Sequence, residues 1–192
     1  MKVSLKFSGG WGNACSMEYP INPEWVLYAK SRSSAWTEHS VVKMCVVDSI
    51  GSMWQCFNAA ASMFVPGCIM FLMKEGHPPM WEHDTYKDLC IFSFVLPEAD
   101  AIHCLREMFM YCCGGQCSDD WCGTTFQIQN RRLLVKIWHN HSRSVRLDEL
   151  NQRITDLLSR KVDLSMKRVG VQTQTPRNRK QNVVGSRGAR QT

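Results

Sequence analysis

Apolar positions along this chain recur with two different periods, and the changes of period divide it into elements. Ile50, Trp54, Phe57 and Ala61 fall on one face of a 3.6-residue repeat, behind Asp48 or Ser49 as a cap, which predicts a helix. A second repeat, Ile102, Leu105, Phe109 and Cys112, follows Pro97 at a first helical turn. Glu98 and Asp100 lie near its positive end, and Gly114-Gly115 stops it. The third helix carries Leu147, Leu150, Ile154 and Leu157 with charges between, opened by Ser144. Strand-like runs cover Trp25 to Lys30, Val41 to Val47, Cys68 to Met73, Leu89 to Val95, Thr124 to Gln129, Leu133 to Trp138 and Lys167 to Gln172. The order β-β-α-β-β-α-β-β-α-β, with neighbouring strands close enough for antiparallel pairs, predicts an α+β fold: one antiparallel sheet with helices on one face.

A chain of 192 residues is long enough for one well-filled core, so one principal site is expected. No apolar run approaches the roughly 20 residues of a membrane-spanning helix. Met1 to Phe7 alternates Val3, Leu5 and Phe7 with polar residues, unlike a secretory signal, so cytoplasmic residence is expected. The net charge of +6 is unevenly distributed. After Asp163 there is no acid, while Lys167, Arg168, Arg177, Arg179, Lys180, Arg187 and Arg190 supply seven cations, leaving the first 163 residues at −1. That places a basic tail over residues 175–192, an arm over 1–19, and the folded domain at 20–174. Such a tail suits phosphate contact or is simply solvated.

Cys15, Cys45, Cys56, Cys68, Cys90 and Cys104 stand singly among apolar neighbours, as buried free thiols do. Cys112, Cys113, Cys117 and Cys122 are closer together but lack the paired knuckles of a zinc site, so no metal or cofactor is expected. A metal or redox protein built on that group remains a competing class. His139-Asn140-His141 brings no further metal ligands with it. There is no Gly-rich phosphate loop, nucleophile elbow or acid/base pair, and an enzyme is not expected.

The tryptophans carry more information. Trp25, Trp121 and Trp138 lie in or beside strand-like runs, where core packing is the default. Trp36 lies in a polar loop and Trp81 in a Pro-punctuated one, where they either fold back as plugs or bind something.

Lys74-Glu75-Gly76-His77-Pro78-Pro79-Met80-Trp81-Glu82 resembles the Gly-Ile-x-Pro-Met-Trp-Glu loop of the translation initiation factor 4E family. Other landmarks agree in order: Pro20 and Trp25 to Tyr28, Ala35-Trp36, Ser52 to Asn58, Pro66-Gly67-Cys68, Ser118 to Gly123, and Lys136-Ile137-Trp138. The resemblance runs from Pro20 to Val171. It implies a curved antiparallel sheet with three long helices on the convex face and a slot for the 7-methylguanosine cap of mRNA on the concave face. In that slot Trp36 and Trp81 would sandwich the cationic base, Glu82 would accept hydrogen bonds from guanine N1–H and its amino group, and Trp138 would approach the methyl group or serve as core.

The chain departs from the family where phosphates are held. Gln129 stands at the place of a family Arg and Leu134 at that of a Lys. Arg131, Arg132 and Lys136, with Arg177, Arg179 and Lys180 of the tail, are the candidate replacements. On the convex side the resemblance assigns Pro20, Ile21, Ile50, Trp54 and Met110 to a helical peptide of an initiation factor 4G-type scaffold or a 4E-binding protein. The short loops and many cysteines are in the style of a paralogue from a lineage with several such factors, as in kinetoplastids. Two roles fit: a cap-binding factor that recruits the scaffold for initiation, or a cap-binding repressor or mRNA-fate factor.

Overall fold

The computed structural model describes residues 19–86, 88–140 and 146–169. Seven strands and three helices follow one another in the expected order: β1 Pro20–Ser31, β2 Val41–Ser49, α1 Ile50–Met63, β3 Cys68–Lys74, β4 Cys90–Pro97, α2 Ala101–Cys113, β5 Trp121–Gln129, β6 Arg132–His139, α3 Leu147–Leu157 and β7 Ser165–Arg168. Ser49 caps α1 in a reciprocal pair. Its Oγ accepts from the Ser52 backbone N–H at 3.2 Å, and Ser52 Oγ accepts from the Ser49 N–H at 3.0 Å. Ser52 Oγ also lies 2.8 Å from the Asp48 carboxylate, and these hydroxyl contacts hold that carboxyl below its usual range.

All strands join one antiparallel sheet in the order β2-β1-β3-β5-β6-β4-β7. Chain neighbours were expected to pair. β1 with β2 and β5 with β6 do, but β3 lies between β1 and β5, and β4 between β6 and β7. The reason is visible in β3, whose residues 69–73 are all buried: a strand apolar on both faces belongs at the centre of a sheet.

Alternation divides the buried residues into two clusters. Trp25, Leu27, Met70, Leu72, Phe92 and Phe94 pack with α1, α2 and α3 through Phe57, Leu105, Phe109 and Ile154. Ile69, Phe71, Met73, Tyr86, Leu89, Cys122 and Trp138 form a smaller cluster on the other face, with no helix residue in it. The helices therefore share one face, as the α+β reading requires. Where β5 passes β3, a side chain at Gly123 would meet the Leu72 backbone carbonyl oxygen at 2.9 Å as well as the Met73 thioether, so glycine suits the close approach.

Several details differ from the expectations. Pro97 closes β4, and a 3-10 turn over Glu98–Asp100 separates it from α2. β1 starts earlier than Trp25, at Pro20. Arg146 is the N-cap of α3 without a side-chain cap, and Ser144 lies outside the described residues. So do residues 1–18 of the arm, the tail and the end of the last predicted strand. Cys45 and Cys56, expected as free thiols, are joined in a disulfide, because α1 turns back along β2 and brings their Cα atoms to 6.4 Å. Replacing Ser49 with Ala should destabilise the fold by about 1 kcal/mol through loss of the α1 cap. Urea unfolding should show it as a lower midpoint at unchanged slope.

Candidate functional site

On the face without helices the sheet floor opens into a cavity of about 520 Å³, lined on its apolar side by Trp36, Phe71, Trp81 and Trp138 and on its polar side by Thr125, Gln127, Lys136, Lys167 and Arg168. The floor follows from strand register. Trp138 on β6 lies opposite Ile91 of β4, which in turn pairs with Lys167 of β7. One step along, Lys136 lies between Ser93 and Thr125.

Each indole is held differently. Trp138 is 4% exposed, and its Nε1 donates to Thr125 Oγ1 at 2.7 Å, which fixes the ring as floor. Trp36 and Trp81 are 55% and 42% exposed, so neither is a core plug. They reach the cavity from separate loops, Trp36 between β1 and β2 and Trp81 between β3 and β4. Trp36 meets Phe71 edge-on at 6.1 Å.

The Trp81 loop is tied down by Tyr86. This buried phenol donates to the Pro78 carbonyl at 2.6 Å and packs on Trp138 at 5.6 Å, and burial raises its pKa far above the usual range. Asn140 Nδ2 adds a bond to the Thr85 carbonyl at 3.2 Å. Wall and floor of the cavity are thus one packed unit. Glu82 follows Trp81 on the exposed surface.

The charged lining is entirely cationic. The Lys136 amine is partly buried, and its pKa is lowered first by that burial and then by Lys167. Of the phosphate candidates read from sequence, Lys136 lies in the cavity. Gln129, Arg131 and Arg132 sit at the β5–β6 hairpin, where Asn130 and Arg131 both take positive φ, as a two-residue turn of this hand demands, and none of the three lines the cavity. Arg177, Arg179 and Lys180 lie outside the described residues. Lys167 and Arg168 were read as the start of a strand and as part of the C-terminal charge but not as site residues, and neither Thr125 nor Tyr86 was read as one. The available signal was position: two cations in a strand-like run must sit on a sheet.

Around the other face, Ile50 and Trp54 are 45% and 39% exposed on α1. Pro20 is exposed at the start of β1, Met110 is half-buried, and Ile21 lies in the core at 8% exposure and offers little surface. Several described cysteines are held in the thiol form by burial. Burial pushes Cys104 up to about 12 and Cys122 up to about 11, and raises Cys112 and Cys113 as well. Among the described residues no three His, Cys, Asp or Glu side chains converge on a point.

An aromatic-walled, cation-lined slot on a helix-backed antiparallel sheet suits a flat base carrying phosphates. The chain is similar to Danio rerio eukaryotic translation initiation factor 4E-1A, 25% identical over 134 residues that make up 64% of this chain and 61% of that protein. It thus spans about three fifths of the length of that relative. In fold it is similar to Ascaris suum eIF4E-3 in complex with an m7G cap, with a TM-score of 0.66, 23% identity, and coverage of 84% of this chain and 97% of that one. A schistosome eIF4E complexed with m7GpppA and 4E-BP gives a TM-score of 0.71 at 17% identity, covering 84% and 94%. The family model for eukaryotic initiation factor 4E matches residues 20–184, most of the chain, and the protein belongs to that family.

Proposed function

We propose that this chain binds the 7-methylguanosine 5′ cap of mRNA in the concave slot and an initiation factor 4G-type scaffold or 4E-binding protein on its helical face, acting in translation initiation in the cytoplasm. The observation that carries the reading is the pair of exposed indoles, Trp36 and Trp81, brought by two loops to the walls of one cavity. Free indole surface on both sides of a slot is costly in water and is covered when a flat ring enters. A base made cationic at N7 adds a cation–π attraction that neutral guanine lacks.

Glu82, beside Trp81, supplies the acceptor for the N1–H and amino donors of guanine. A bond to a charged acceptor contributes roughly 1.5–3 kcal/mol. The phosphates would then lie over Lys136, Lys167 and Arg168, a grip centred on β6 and β7, with Arg131 and Arg132 left to contact RNA farther along. The relatives whose structures hold a cap, and in one case a 4E-binding protein, support both halves of the reading. On the helical face, Trp54 and Ile50 offer adjoining apolar surface for an amphipathic helix.

Tryptophan fluorescence should be quenched by 7-methyl-GTP with far higher affinity than by GTP. Trp36→Ala and Trp81→Ala should each weaken binding of the methylated nucleotide by about 5- to 150-fold, the loss of one stacking partner, and Glu82→Gln should erase the preference for guanine. Equal affinity for both nucleotides in the wild type would refute cap recognition. The gain in affinity from cap nucleoside to cap triphosphate should shrink in Lys136→Met and again in the double variant with Lys167→Met. A full gain in that double variant would remove β6 and β7 from the phosphate grip.

Lys136 also makes a prediction about the ligand-free protein. Its pKa is lowered on folding from 10.5, so between the folded value and 10.5 the unfolded chain holds more protons and stability rises with pH. At neutral pH the buried ammonium is therefore a cost. Urea unfolding should find Lys136→Met more stable than wild type near pH 7, with the difference narrowing as pH approaches 10.5.

A further inference from the structure

Among the described residues Lys30 is the one buried lysine, 2% exposed near the end of β1 and paired with Ile69 of β3 across the sheet. Its ammonium donates to the carbonyl oxygens of Ser31 at 2.9 Å and Ser34 at 2.6 Å, lies 3.0 Å from Ser34 Oγ, and stands 4.6 Å from the centre of the Trp36 ring. Lys30 covers one face of the Trp36 ring and does not line the cavity that Trp36 lines, which leaves the opposite face of the indole free to meet a ring in the slot. The bonds to Ser31 and Ser34 explain how it is held there. They span the first half of the β1–β2 loop and leave the Nζ no freedom to leave the ring.

We infer that Lys30 sets the specificity of the slot, because a charge fixed behind Trp36 lowers the preference for a cationic base over a neutral one. The inference rests on the cap-binding reading above. An indole offers its negative π potential on two faces, but both come from one charge distribution. With a cation on one face, a second cation stacking on the other meets its repulsion through the ring. A base stacked about 3.5 Å in front would place its charge roughly 8 Å from Nζ. At that separation the repulsion corresponds to between about 2-fold and about 30-fold in affinity, as the effective dielectric constant falls from that of water to about 20. Neutral guanine, of nearly the same shape, does not feel it. A guanine base without the methyl charge is therefore discriminated against less strongly here than the two stacking indoles alone would achieve.

The test is the ratio of affinities for 7-methyl-GTP and GTP, measured by fluorescence titration of the full chain. Lys30→Gln keeps donors for the loop carbonyls and removes the charge, Lys30→Met removes both at similar length, and Lys30→Arg keeps the charge. The ratio should rise by about 2- to 30-fold in Lys30→Gln and Lys30→Met and stay near the wild-type value in Lys30→Arg. If Lys30 only holds the loop, both nucleotides will weaken together and the ratio will not move, which overturns the inference. A rise in Lys30→Arg equal to that in the uncharged variants overturns it too. Wild-type protein that binds neither nucleotide rejects cap recognition itself, and this inference with it. Should one uncharged variant unfold in urea at markedly lower midpoint, the ratio in the other decides.

Discussion

All three helices pack against the same face of the sheet, and the rest of the molecule depends on that asymmetry. A sheet seven strands wide presents two apolar faces, and helices that cover only one leave the other to be closed by its own side chains. Here the uncovered face is closed by aromatic and sulfur-bearing residues of the strands together with Tyr86 and Leu89 from the chain between β3 and β4. That closure is incomplete. The loops on either side carry Trp36 and Trp81 over its edge, and the gap between them is the slot. A ligand entering there completes the covering layer that the helices provide on the opposite side, and the hydrophobic term that stabilises the domain also favours binding.

Because the floor is a set of paired strands, its chemistry is fixed by register. Ser93, Lys136 and Thr125 form one row, and Ile91 and Trp138 the next. A shift of one residue in β6 would turn Lys136 and Trp138 to the helical side and bring Ile137 to the floor. The Trp138 Nε1 bond to Thr125 and the irregularity in β5 between Trp121 and Gly123 set that register where it matters most. Gly123 allows β5 to lie against β3 at that point, and Tyr86 couples the floor to the Trp81 loop.

The elements were legible in the sequence because their apolar periods are strong. Ile50, Trp54 and Phe57 gave α1 its period, although Ile50 and Trp54 are exposed and the buried face is Met53, Cys56, Phe57 and Ala60, while Leu150 and Ile154 declare α3. The slot aromatics were legible for the opposite reason, since Trp36 and Trp81 contradict their polar surroundings. What could not be read was anything that depends on which strands meet. Lys167 acquires a place in the slot only because β7 pairs with β4, and β7 is four residues long with every one exposed, too short and too polar to announce its partner. The Cys45–Cys56 bond depends in the same way on the angle at which α1 leaves β2. Lys30 shows the limit most clearly, because alternation along Trp25 to Lys30 suggests a strand end and gives no hint that an ammonium will be buried beneath an indole.

The charges in and around the slot oppose one another in a way that bears on selectivity. Lys136, Lys167 and Arg168 line the slot, and the ammonium of Lys30 lies over one face of Trp36, while Glu82 is the acid next to Trp81 in sequence. A positive lining favours any nucleotide triphosphate, methylated or not, since phosphate attraction carries no information about the base. In the proposed reading, discrimination would then come from the base end, from stacking and from Glu82. There the cation–π term would be the component that senses methylation, and Lys30 would weaken it. If the proposed reading holds, a slot built in this way would hold capped RNA more by its phosphates and less by the charge on its base than one whose stacking indoles have no cation beside them.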